Sequence, residues 1–146
     1  MGVVSLLVVA GCLALGAAEP GPRVEFAGGT VPVKASARMD LSGPDWLVFR
    51  GKTDLRIEYR KVNTLEYGQN VSRRYAAAIL ISPLLLLSKA RKHFVTLGYV
   101  DAEGKQQAVV FRVNKGDIRS VLASLEARTG RRVEFQDDEA RKTGKG

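Results

Sequence analysis

The chain carries one histidine, His93, and one cysteine, Cys12, and these two side chains bound its chemistry. A single imidazole cannot assemble a His-rich metal site, nor can it supply both partners of a catalytic relay. Cys12 lies inside an apolar N-terminal run, so the body of the chain has no thiol for a disulfide, a thiolate metal site or a nucleophile. The carboxylates do not pair for acid–base work either. Asp101 and Glu103 fall in an expected turn and Asp137, Asp138 and Glu139 in a charged tail, whereas paired catalytic carboxylates need a rigid separation. The expectation is a protein that is not an enzyme, with no cofactor and no metal.

A different kind of chemistry is concentrated in one stretch. Arg73 and Arg74 precede an apolar block at residues 76–87, which Pro83 divides, and Lys89, Arg91 and Lys92 follow it. A helix of about 12 residues is about 18 Å long, against a hydrocarbon core of about 30 Å, so the block is too short to span a bilayer. Folded as a half-helix, a turn and a second half-helix, it would dip into an interface while the cations meet anionic head groups. Arg73, Arg74, Ile79, Leu80, Leu84, Leu85, Lys89, Arg91 and Lys92 would then make the contact. The alternative is that the block is ordinary core or a self-association surface.

The whole chain has 23 Lys and Arg against 15 Asp and Glu, a net charge of +8. Such a balance suits nucleic acid or an anionic membrane. The cations lack the aromatic interleaving of single-strand binders, and an exported chain rarely meets nucleic acid, so the expected partner is an anionic membrane surface or another protein.

Export is expected from residues 3–18, VVSLLVVAGCLALGAA, which end in small residues just before Glu19-Pro20-Gly21-Pro22. This is the pattern of a cleavable signal peptide over residues 1–18, and Gly16 and Ala18 suit a cut after Ala18. No Lys or Arg precedes the run, and Val9-Ala10-Gly11-Cys12 resembles a lipobox, so lipidation at Cys12 is the second reading. Either product is exported, periplasmic or attached to the cell envelope.

The elements that would position these residues are mostly strands. Residues 19–44 read as a loose lead-in with a candidate edge strand, because Pro and Gly surround a short Arg23-Val24-Glu25-Phe26 alternation. Residues 31–39 form a strand weakened by Pro32, and residues 45–50 a firmer one. Leu55, Ile57 and Tyr59 alternate with Arg56, Glu58 and Arg60, the period of a strand with one face in water. Residues 62–67 continue it, and residues 93–100 and 107–113 make a hairpin across residues 101–104. His93 then points opposite to Phe94 and Thr96, packed or half-exposed, while Trp46 and Tyr59 are expected in the core. Asp117 sits where an N-cap belongs, Ile118, Val121, Leu122 and Leu125 follow at helical spacing, and Gly130 supplies the stop. Residues 131–135 suit a last short strand, and residues 136–146 a disordered charged tail.

The fold class is therefore mainly β with one C-terminal helix, an antiparallel barrel or sandwich that the helix closes. The run Leu55-Arg-Ile-Glu-Tyr-Arg-Lys-Val-Asn-Thr-Leu-Glu-Tyr67 resembles the I-P-Y-x-x-I-x-x-L strand pair of bacterial pleckstrin-homology-like (GRAM-like) domains. Ser88-Lys-Ala-Arg-Lys-His-Phe-Val-Thr-Leu-Gly-Tyr99 resembles their K-x-x-x-F-x-L-x-Y strand. The resemblance covers about residues 45–135, with the apolar stretch at residues 75–88 as an insertion where that family has a loop. It implies a seven-stranded bent antiparallel barrel, capped by the amphipathic helix, that serves as a lipid- or protein-binding module.

Overall fold

The structure, a computed structural model, describes residues 21–31, 36–69, 80–81 and 93–145. It is mainly β. Among the described residues, nine strands make one sheet: β1 (Arg23–Gly29), β2 (Ser36–Asp40), β3 (Trp46–Arg50), β4 (Leu55–Glu58), β5 (Val62–Gly68), β6 (Leu80–Ile81), β7 (His93–Val100), β8 (Gln106–Val113) and β9 (Glu134–Phe135). Two helices follow the strand-rich part, α1 (Ile118–Thr129) and α2 (Asp138–Lys145).

The strand order is β4-β3-β2-β1-β8-β7-β5-β9, with β6 paired to β1 off this path. All the pairings are antiparallel except β5 with β9, so the sheet is mixed, and it runs from β4 to β9 without closing. A one-turn 3-10 helix, Tyr59–Lys61, carries the chain from β4 to β5.

Leu55, Ile57 and the rest of β4 follow the expected alternation: Ile57 is buried and Arg56 exposed. In β7 and β8 both faces are buried. Val95, Leu97 and Tyr99 belong to the main core with Val109, Phe111 and Val113, while Phe94, Thr96, Ala108 and Val110, on the opposite parity, are also buried. Phe49 ties the two halves of the core together, with ring centroids 5.3 Å from Phe26 and 5.2 Å from Phe111. Ile118, Val121, Leu122 and Leu125 of α1 complete this core.

Helix α1 ends as expected. Gly130 takes a left-handed conformation with φ 69° and its N–H donates to the Glu126 carbonyl at 2.9 Å, a C-cap for which a residue without Cβ is suited. The start differs from expectation: Asp117 has α-helical dihedrals and its side chain makes no capping hydrogen bond. Ser120 Oγ donates instead to the Asp117 carbonyl at 2.9 Å.

Both ends of the domain depart from the sequence-based expectation. The lead-in strand is not an edge. β1 pairs with β2 and β6 along one side and β8 along the other, and Val24 and Ala27 are fully buried. The glycines that suggested looseness permit close approach: a Cβ on Gly29 would stand 2.9 Å from the Ala108 carbonyl oxygen. The β domain therefore takes in residues 23–40 as well as 45–135.

At the other end, the expected disordered tail forms α2 and packs. Asp137 Oδ1 accepts the Ala140 N–H at 2.7 Å, Asp138 and Glu139 stand in the first turn, and Lys142 and Lys145 in the last, each sign at the helix end that favours it. Its buried residues are Ala140 and Gly144, and a Cβ on Gly144 would meet the Phe135 ring at 2.6 Å. A buried face made of alanine and glycine leaves no apolar period to read.

Candidate functional site

Most of the contact residues read from the sequence, Arg73, Arg74, Ile79, Leu84, Leu85, Lys89, Arg91 and Lys92, lie outside the described residues, as does the leader with Cys12. Leu80 is described as backbone: with Ile81 it forms β6, opposite Gly29 and Gly28 of β1. Among the described residues, no helix is long and apolar enough to cross a membrane, and no group of three or more His, Cys, Asp or Glu side chains gathers.

The candidate site that the described residues form is a cleft of about 690 Å³ between the end of the β3–β4 pair and the C-terminus of α1. Three separate segments build it: Pro44, Asp45 and Trp46; Glu58, Tyr59 and Arg60; and residues 127–130. Trp46 and Glu58 are register partners across β3 and β4, so both project to the outer face, which Arg56 shares. Leu47 and Phe49 point the other way into the core. Trp46 is thus 41% exposed, a correction to its expected burial, and strand parity is the reason. Tyr59 is buried as expected, because the 3-10 turn carries it beneath the corner and its N–H donates to the Asp45 carbonyl at 2.9 Å.

Two cations, Arg60 and Arg128, and two carboxylates, Asp45 and Glu58, line the cleft, and Arg56 and Lys61 stand beside it. The Arg56 guanidinium stands 5.6 Å from the Trp46 ring centroid and that of Arg128 5.8 Å from the Tyr59 ring. Arg128 Nη1 also donates to the Gly43 carbonyl at 2.6 Å, joining α1 to the turn before β3. Glu58 accepts from Arg60 Nε at 2.8 Å, and Lys61 Nζ lies 3.5 Å away. The Arg60 hydrogen bond holds the Glu58 carboxyl below the usual carboxylate range. Burial raises the Tyr59 phenol above its ordinary value, Arg128 opposes this and Asp40 adds to it, while the Tyr59 hydroxyl has no hydrogen-bond partner among the described residues. The corner offers an indole platform and fixed positive charge. A nucleophile beside a base is absent from its lining.

His93 is elsewhere, half-buried at the start of β7. Its Nδ1 lies 2.6 Å from Tyr67 Oη, and the two rings are parallel to within 6° at 6.1 Å. Phe135 of β9 meets Tyr67 edge-on at 6.0 Å. Burial, with Lys115 nearby, lowers the His93 pKa, and burial, with Asp137, raises that of Tyr67. Asp101 and Glu103 occupy the β7–β8 turn as expected, where Asp101 accepts from the Glu103 and Lys105 N–H groups at 2.9 Å and from Gln107 Nε2 at 2.8 Å. A second cleft, of about 640 Å³, lies where Lys115, Gly116 and Arg119 face Glu139, Lys142 and Thr143 of α2.

Sequence reasoning missed the Trp46 corner because its three segments are far apart along the chain. One signal was legible: Trp46 shares the parity of Arg50 in β3, and both are exposed where Leu47 and Phe49 face the core, although Val48 between them is buried. No protein-family model matches the sequence, and no curated protein is significantly similar to it.

Proposed function

We propose that this is an exported, non-enzymatic binding module of pleckstrin-homology-like design that acts at an anionic membrane surface or on a protein partner. The observation that carries this reading is the placement of charge. Residues 69–92 hold five cations, Arg73, Arg74, Lys89, Arg91 and Lys92, and no Asp or Glu, so most of the net +8 flanks the apolar block. Apolar surface beside cations suits the boundary between acyl chains and anionic head groups.

The pleckstrin-homology-like part of the proposal is supported by the strand order. Two antiparallel meanders, β1–β4 and β5–β7–β8, join through β1 and β8, and α1 packs against the core they share. The export part rests on residues 1–18, and the mass of the mature N-terminus tests it. A chain starting at Glu19 fits cleavage, an acylated Cys12 replaces it with a tether, and an intact Met1 in a cytosolic fraction overturns export.

A second reading, a soluble or self-associating structural protein of the cell envelope with no lipid contact, draws on one observation. β6 pairs with Gly28 and Gly29, which ties the middle of the apolar block into the sheet. Co-sedimentation with vesicles of phosphatidylglycerol separates the two. The membrane reading expects the chain in the pellet, with a variant carrying Gln at the five positions 73, 74, 89, 91 and 92 left in the supernatant. Wild-type protein that stays in the supernatant contradicts it.

A further inference from the structure

We propose that the Trp46 corner is a membrane-contact tip in its own right, seating the indole at the head-group level of an anionic bilayer. This rests on the membrane reading above and adds a contact distinct from residues 73–92. Trp46 is the chain's only tryptophan and, among the described residues, the only exposed large hydrophobic side chain. Leu47 and Phe49 enter the core on the opposite parity, and Trp46, at the first position of β3, stays exposed where Val48 on its own face is buried. An indole has an apolar body and a polar N–H, which is why tryptophan collects where hydrocarbon meets water.

Its surroundings supply the charge. Arg56 lies over the ring, and Arg60 and Arg128 line the same cleft. Among the described residues neither Arg56 nor Arg128 forms an ion pair with a carboxylate. Glu58 is matched by Arg60 and Lys61, which leaves Asp45 as the one lining acid outside those pairs. Counting Arg56 and Lys61 beside the lining, four cations face two carboxylates around one apolar group at this corner. Its other lining residues are largely polar, so it lacks the enclosed apolar pocket that a buried ligand or a peptide side chain needs. A charged surface with an apolar layer just beneath it matches both of its components.

Because Trp46 is the sole indole, its emission reports on this corner alone. The experiment titrates the full chain with phosphatidylglycerol vesicles, with phosphatidylcholine vesicles, and with phosphatidylglycerol vesicles carrying brominated acyl chains, and measures co-sedimentation in parallel. The expected result is a blue shift and bromine quenching with the anionic lipid and neither with phosphatidylcholine, with Arg56→Gln weakening the apparent partition about fivefold. Co-sedimentation without any shift or quenching overturns the corner and leaves the membrane reading standing. No co-sedimentation removes both. An equal response to both lipids, or an undiminished response from Arg56→Gln, overturns the electrostatic half of the proposal and with it the assigned corner.

Discussion

Strands β7 and β8 bury both faces, whereas β2 and β4 bury one and offer the other to water. On β2 the outward residues are Ser36 and Arg38, on β4 Arg56, while on β7 the same positions hold Phe94 and Thr96 and on β8 Ala108 and Val110. The difference separates stability from recognition. A strand packed on both sides loses contacts with any truncation. A strand at the sheet's end can present side chains without disturbing the core, and the cleft with Trp46 lies there.

Substitutions in the two regions sharpen that contrast. Phe111→Ala, which removes a fully buried ring packed on Phe49, is expected to cost about 3–5 kcal/mol in urea denaturation. Val110→Ala probes the opposite face of the same strand, where the side chain is fully buried, and about 2 kcal/mol is expected. A loss near zero would mean that this face does not pack as a second core. Gly144→Val drives a side chain into Phe135 and should cost about 1–3 kcal/mol, with hydrogen exchange rising in α2 and not in α1.

Tyr67→Phe should cost about 1 kcal/mol, since it removes the hydrogen bond to His93. The pH dependence has a definite sign. His93 is held below its ordinary pKa by burial and Lys115, so the unfolded chain binds the proton more tightly. Its contribution is complete above the unfolded value, about 6.5, and is lost as pH falls through the lower folded value. His93→Asn, which keeps an acceptor that does not titrate, should flatten stability between neutral and mildly acidic pH, and an unchanged slope would remove His93 as its source. At the exposed end, Trp46→Ala is expected to change stability by less than about 0.5 kcal/mol while weakening vesicle binding. A large stability loss there would erase the distinction between the two regions.

The same contrast explains what the sequence made legible. β4 could be read because water on one face forces the alternation of Leu55 and Ile57 with Arg56 and Glu58. β7 and β8 could be read as two strands joined across the turn at residues 101–104, and α1 from the spacing of Ile118, Val121, Leu122 and Leu125. β1 was misjudged as a loose margin because Gly28 and Gly29 signal turns in sequence, whereas in the fold Gly29 allows close backbone approach. α2 was invisible because its buried residues are Ala140 and Gly144, which carry no apolar period, and Gly144 is covered by Phe135 and Leu122 from elsewhere in the fold. The cleft escaped for a further reason. Its parts meet only once α1 brings Arg128 to Gly43, a contact that spans most of the domain's sequence.

The most direct measurement is the salt dependence of binding to phosphatidylglycerol vesicles by the full chain. If cations carry the contact, the bound fraction should fall steeply as ionic strength rises and exposed charges are screened, and phosphatidylcholine vesicles should retain little protein at any salt. Binding that is insensitive to salt, or equal on the two lipids, would contradict an electrostatic membrane contact.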